Sequence, residues 1–205
     1  MNANRMSANI PVLLRTYQSH DVHPGCKIWE AAQATSATPT LFKRIEIGDE
    51  QPFTGGGLGC NNPTRLLLDE AKGLFGARQI GCLVSIGAGQ GEIISNKKPG
   101  VSQRIPPTDV IDALNEIASD CEATHEAMFR LFANTPNTYF RLNVEHGMQK
   151  IQPSEREKLA NIEAHTTEYM KKIEVDEKLA FLVNAIRIRR EKSTIEQLSK
   201  EESVL

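Results

Sequence analysis

Phe53-Thr54-Gly55-Gly56-Gly57-Leu58-Gly59-Cys60-Asn61-Asn62-Pro63 leads from an apolar run, through four glycines in five positions, into a stretch that reads as a helix. Glycine loses more backbone entropy on folding than any other residue, so a cluster of it belongs where the chain needs positive φ or passes close to another group. Asn62 is a good N-cap, and Pro63 suits the first helical position, whose amide has no intrahelical partner. The helix is predicted to run to about Phe75, turning Leu66, Leu67, Ala71 and Leu74 toward a core, with its positive dipole end beside the glycine turn. Next comes Ile80-Gly81-Cys82-Leu83-Val84-Ser85-Ile86-Gly87, a continuous apolar run between glycines that reads as a central strand of a parallel sheet. Strand, glycine turn, helix and buried strand in that order spell a β-α-β unit and predict an α/β fold. A glycine turn at a helix start is where such a fold places its chemistry.

Upstream, Ile10 to Tyr17 contains Pro-Val-Leu-Leu and predicts a short buried strand. Cys26 to Ala34 places Ile28, Trp29 and Ala32 at helical spacing, its other residues being small enough for a close helix-sheet approach. Leu41 to Ile47 alternates as a strand and is expected to pair with Gln51 to Thr54 as a hairpin around Gly48-Asp49-Glu50. Downstream, Ala88 to Gly100 is a polar loop. Thr108 is expected to cap a helix bearing Ile111, Leu114, Ala118, Cys121, His125, Met128 and Phe132 on one stripe. Thr138 to Val144 reads as a late strand. Ser154 and Glu157 form a capping-box pattern ahead of Leu159, Ile162, Thr166 and Tyr169, and a last helix carries Val175, Leu179, Leu182 and Ile186.

With 205 residues, 40% of them hydrophobic, the chain can bury a sizeable core. Twenty-four basic against twenty-six acidic residues leave a net charge of -2, which gives no global attraction to nucleic acid or acidic membrane. No apolar run reaches the roughly 20 residues that span a bilayer, and the first residues lack a signal peptide's apolar core. Cys26, Cys60, Cys82 and Cys121 are far apart in sequence and read as reduced thiols, so a cytoplasmic setting is expected. The basic segment Asn184-Ala185-Ile186-Arg187-Ile188-Arg189-Arg190-Glu191-Lys192 could meet acidic lipid head groups or a partner, but reads more readily as a solvated last turn favoured by the helix dipole.

Most chemical signatures fail on inspection. The glycine tract is followed by no Lys-Ser or Lys-Thr, and neither it nor Gly87-Ala88-Gly89-Gln90-Gly91 has dinucleotide-binding spacing. His125-Glu126 lacks a second histidine, and His20 and His23 have no metal-ligand company, so no metal or cofactor is expected. No G-x-S-x-G elbow occurs in the sequence. Ser85 has leucine where the first glycine would stand and reads as a serine near the end of a buried strand.

The ordered motifs nevertheless resemble a family. Trp29-Glu30-Ala31-Ala32-Gln33-Ala34-Thr35-Ser36-Ala37-Thr38-Pro39-Thr40, the tract from Phe53 to Pro63, and Leu83-Val84-Ser85-Ile86-Gly87-Ala88-Gly89 are similar, in order and spacing, to the C-terminal portion of patatin-like phospholipases, closest to fungal members. The resemblance covers residues 10 to 92 and extends more loosely over Tyr139-Phe140-Arg141-Leu142-Asn143-Val144-Glu145 and the helices beyond. It implies a partial three-layer α/β/α domain with a mostly parallel sheet over residues 1–150, followed by a packed helical extension over 151–205. It also implies a lipid or acyl-ester ligand and a Ser-Asp dyad, in which serine attacks the ester and aspartate takes its proton.

Against that family pattern, aligning Gly56 and Gly57 with the glycines after the dyad aspartate puts Gly55 in the aspartate's place. The oxyanion loop and serine elbow would lie upstream of Ile10, so the chain is expected to be a C-terminal part of the domain, catalytically incompetent as it stands, with a protein partner covering the shortened sheet. The alternatives are a non-catalytic lipid-binding or interaction module, and a gene start placed too late in a full-length phospholipase.

Overall fold

A computed structural model of the chain describes residues 2–5, 11–17, 25–38, 41–48, 52–57, 59–76, 78–89, 121–148, 151, 155–188 and 193–194. These fall into two compact units that meet in sequence between Asn61 and Asn62.

The first unit is a three-stranded antiparallel sheet with one helix. Strand β1 (Asn2–Arg5) lies between β2 (Pro11–Leu13) and β3 (Phe53–Gly55), with Ala3 opposite both Val12 and Gly55. Helix α1 (Ile28–Ser36) starts where the Glu30 carboxylate accepts the Lys27 amide at 2.6 Å, satisfying one of the amides that a helix start leaves without a partner. The core joins Val12, Leu14, Ala31, Ala34, Ile47 and Phe53, with Cys26 and Ile45 packed against it. Helix α1 thus buries Ala31 and Ala34, while Ile28 is 84% exposed and Trp29 and Ala32 also face out. Small side chains bring the helix backbone near β3, where the Gly55 amide donates to the Ala37 carbonyl at 3.0 Å.

The expected strand over Leu41 to Ile47 does not form. A turn and irregular backbone replace it, and what survives of the hairpin is one antiparallel bridge, Ile45 to Phe53. The physical reason is that β3 takes its ladder from β1 at the far N-terminus, a pairing that local alternation cannot reveal.

The second unit begins with α2 (Thr64–Phe75), one residue later than the sequence suggested, so that Pro63 precedes the helix. Asn62 still caps it: its Oδ1 accepts the Thr64 amide at 3.3 Å and the Thr64 hydroxyl at 2.5 Å. The buried face is Thr64 and Leu68 with Ala71 alongside, whereas Leu67 and Leu74 are exposed. This corrects the predicted face by about one residue's rotation.

Strands β4 (Gln79–Ile80) and β5 (Leu83–Ile86) follow, then α3 (Glu122–Leu131) and β6 (Tyr139–Leu142). Strand β5 pairs with β6 in parallel, Leu83 opposite Tyr139 and Ser85 opposite Arg141. The parallel pair is therefore β5 and β6 with α3 between them in the chain, not β3 and β5 around α2; β3 belongs to the antiparallel sheet. The expected cap at Thr108 and the stripe residues Ile111 to Ala118 lie outside the described residues, as does Ser154.

Leu68, Leu83, Met128, Leu131 and Phe132 form this unit's core, with Ile80 and Tyr139 against it. A 3-10 turn (Arg156–Lys158) leads to α4 (Leu159–Met170) and α5 (Ile173–Ile188), which bury Tyr169, Val175 and Leu182. Strand β7 (Ser193–Thr194) pairs antiparallel with β4. The fold is thus mixed α/β with a parallel pair. No described helix is long and apolar enough to cross a membrane.

Candidate functional site

The glycine turn closes the first unit. Gly55 is buried at the end of β3, and a Cβ built on it would lie 2.9 Å from the Thr35 carbonyl oxygen, closer than real Cβ atoms come. Its φ is not positive, so space, not conformation, demands glycine here. Gly59 does need the left-handed region, at φ 85°. Between them the Cys60 amide donates to the Gly56 carbonyl at 3.1 Å, making the turn, and Gly57 is exposed with room for a side chain. Gly55 and Gly56 are thus buried, and Gly57 faces out.

The second unit holds a buried polar cluster where β5, β6, α2 and α3 converge. Arg141, 7% exposed in its side chain, donates from Nη1 to Ser85 Oγ at 2.9 Å and from Nη2 to Cys121 Sγ at 3.1 Å. Its charge is met by Glu122, whose Oε1 lies 3.5 Å from Nη2. The same oxygen accepts Asn143 Nδ2 at 3.1 Å and the Cys121 thiol at 3.4 Å. Asn143 Oδ1 in turn accepts the Gly89 amide at 2.8 Å, and Asn62 Nδ2 donates to the Cys121 carbonyl at 3.1 Å. A lone buried guanidinium would cost several kcal/mol, and breaking such a pair about 3–5 kcal/mol. Here the charge is offset by an ion pair and by hydrogen bonds to three residues.

Ser85 sits at the centre of this cluster and is buried. Its oxygen accepts the Thr64 hydroxyl at 3.1 Å and donates to Asn62 Oδ1 at 3.3 Å, so its proton is directed to an amide oxygen. An amide oxygen is not a base, and among the described residues no carboxylate or imidazole accepts that proton. A serine without a base remains a weak nucleophile, and the sequence reading of Ser85 as structural agrees with this geometry. Cys121, on the helix-start side, both donates to Glu122 and accepts from Arg141, an arrangement that satisfies the neutral thiol.

Beside the cluster, His125 Nδ1 lies 3.1 Å from the Tyr139 hydroxyl. Burial lowers the imidazole pKa below its ordinary value; Glu122 and Glu126 oppose this, and Arg141 and Lys178 reinforce it. Burial likewise raises the Tyr139 phenol. Among the described residues no group of three or more His, Cys, Asp or Glu could hold a metal ion. Sequence reasoning missed Arg141, Glu122 and Asn143. Arg141, inside an otherwise apolar strand, was the visible signal; its partners come from α3 and β5, and spacing does not reveal them.

An α/β protein with a glycine turn on one sheet and a parallel pair over a buried polar cluster is the class defined by these features. Comparison with known proteins places it further. The chain is 30% identical over 206 residues to the calcium-independent phospholipase A2-gamma of Oryctolagus cuniculus, covering 96% of this chain and 25% of that protein. It is 30% identical over 178 residues to the Homo sapiens protein of the same name, covering 85% and 22%, and 27% identical over 146 residues to patatin-like phospholipase 1 of Plasmodium falciparum, covering 63% and 22%. The chain is a homologue of the patatin-like phospholipases. It spans about a quarter or less of the length of these relatives. No protein-family profile matches it, and no solved structure does.

Proposed function

We propose that this chain retains the lipid-acyl-hydrolase scaffold of its relatives and binds lipid or acyl-ester groups without hydrolysing them. The observation that carries this reading is Gly55. At the position aligned with the dyad aspartate there is no side chain to take a proton, and the Thr35 carbonyl 2.9 Å from the would-be Cβ leaves no room for one. General-base catalysis contributes roughly 10²- to 10⁴-fold, and the 205 residues contain no G-x-S-x-G nucleophile. Ser85, hydrogen-bonded to Arg141 and an amide, offers no substitute.

Residues 1–150 would supply the domain portion and 151–205 its helical extension. The Asn143 amide on Tyr169 Oη at 3.2 Å and Lys172 on Glu145 at 2.6 Å favour that packing. The four free thiols, Cys26, Cys60, Cys82 and Cys121, are in keeping with a reducing, cytoplasmic setting. The test is turnover of a short acyl ester and of a fluorogenic phospholipid by the purified chain, with parallel labelling by a fluorophosphonate. The expected outcome is no turnover above a heat-treated control, no labelling, and measurable binding to vesicles carrying the unhydrolysed phospholipid. Turnover with covalent labelling overturns the proposal, and so does absence of vesicle binding.

A further inference from the structure

Ser85 is a hydroxyl without a base; Cys121, in the same cluster, is a thiol with one. Its thiol donates to Glu122 Oε1 at 3.4 Å, and its Sγ accepts from Arg141 Nη2 at 3.1 Å. Asn143 Nδ2, on the same carboxylate oxygen at 3.1 Å, holds the base in place. A nucleophile, a base in contact with it and a third group that orients the base are the parts of an activated nucleophile. Cys121 is also the N-cap residue of α3, a ten-residue helix whose positive end favours negative charge on the sulfur. From β6, Tyr139 interacts electrostatically with the same thiol.

Arg141 adds an observation independent of those contacts. Its side chain is 7% exposed, yet its Nε–H is buried with no hydrogen-bond partner among the described residues. In the planar guanidinium, Nε and Nη2 lie along one edge and present their hydrogens in parallel. Nη2 holds the sulfur, so the unpaired N–H is aimed to the sulfur's side. A buried donor left without an acceptor costs about 1–3 kcal/mol. A small ligand that brings an oxygen to the sulfur satisfies it. Cys121 is itself half-buried, which leaves the thiol within reach of such a ligand.

We infer that Cys121 is a peroxide-reactive thiol whose co-reactant is a hydroperoxide, with Glu122 taking the proton and Arg141 holding the peroxide. A hydroperoxide fits because it is small, brings the oxygen acceptor that Arg141 Nε lacks, and develops negative charge on its departing oxygen as it reacts. The sulfur attacks one peroxide oxygen, so that an S–O bond forms while the O–O bond breaks. The thiol proton passes to Glu122 and on to the departing oxygen. The sulfur gives up two electrons and becomes a sulfenic acid; the hydroperoxide takes them and becomes an alcohol, or water when it is hydrogen peroxide. Guanidinium donors already in place for the developing oxygen anion favour this step. The inference is independent of whether the chain hydrolyses esters.

The test exposes the full 205-residue chain to hydrogen peroxide with dimedone, which traps sulfenic acid, and follows each cysteine by peptide mass spectrometry. Cys26, Cys60 and Cys82 are half-buried as well, so they control for access. The expected result is trapping at Cys121 roughly tenfold or more faster than at any of the three. Its rate should change by less than about threefold from pH 6.5 to 8, because a proton acceptor is already in place. N-acetylcysteine in the same buffers gains nearly tenfold per pH unit below its pKa of about 8.5. Glu122→Gln keeps an oxygen for the thiol and for Asn143 but is no base. It should slow Cys121 by roughly tenfold or more and leave the other three cysteines unchanged. Where that variant does not fold, the pH profile of the natural chain decides. Equal rates at all four cysteines, a Cys121 rate that climbs with pH as N-acetylcysteine does, or a folded Glu122→Gln chain as reactive as the natural one would each overturn the inference.

Discussion

At the scale of single residues, Gly55 and Gly57 separate two reasons for keeping glycine. Gly55 is fixed by the Thr35 carbonyl 2.9 Å from its absent Cβ, a backbone atom that cannot swing aside. Overpacking a tight site costs about 1–3 kcal/mol, so Gly55→Ala should lower the urea unfolding free energy by that amount. Gly57 is exposed and has space, so Gly57→Ala should change it by about 0.5 kcal/mol or less. Equal effects would show that the contact at Thr35 is relaxed. The same residue-by-residue view reassigns Arg141. A charged side chain in the middle of an apolar strand can be read from the sequence, but its function as the hub joining Ser85, Cys121 and Glu122 depends on three segments meeting.

Among the secondary elements, α3 carries a titration that links pH to stability. His125 packs against Tyr139 and Phe129, and burial holds its pKa below the ordinary 6.5. The unfolded chain therefore takes up the proton first. Stability contributed by the neutral imidazole is complete above the unfolded pKa and is lost as pH falls from there toward the lower folded value. Thermal unfolding followed from about pH 7.5 to 5.5 should show a steeper loss for the natural chain than for His125→Gln, which keeps an acceptor for the Tyr139 hydroxyl without the charge. Parallel slopes would remove His125 from the account. The elements also show how far local pattern goes. The apolar run over Leu83–Ile86 and the glycine-bounded start of α2 were legible because each is decided by its own residues. The strand expected over Leu41 to Ile47 failed because alternation says a segment can pair, while the partner decides whether it does. For α1, spacing singled out Ile28, Trp29 and Ala32, which are all exposed; the close approach to β3 selected Ala31 and Ala34 instead.

For the molecule as a whole, 24 basic and 26 acidic residues make electrostatics a minor contributor to any partner. The chain should pass through a heparin column at about 150 mM salt, and any binding to phospholipid vesicles should persist when salt is raised to about 0.5 M, where surface charges are screened. Retention on heparin, or vesicle binding abolished by salt, would reveal a basic patch that the balanced total conceals. Homology to patatin-like phospholipases accounts for the order of the motifs, and the absent side chain at position 55 for the proposed loss of chemistry.

The sequence by itself determined the α/β class, the glycine turn, the capping of the following helix by Asn62, the parallel character of the Leu83–Ile86 strand, and the family, because these rest on local stereochemistry and on contiguous motifs. Only the tertiary structure decided which strands pair, which helix faces are buried, that Ser85 gives its proton to no base, and that position 55 has no room for a side chain. Each of these depends on atoms far apart in the chain, brought within about 3 Å by packing that no local pattern encodes.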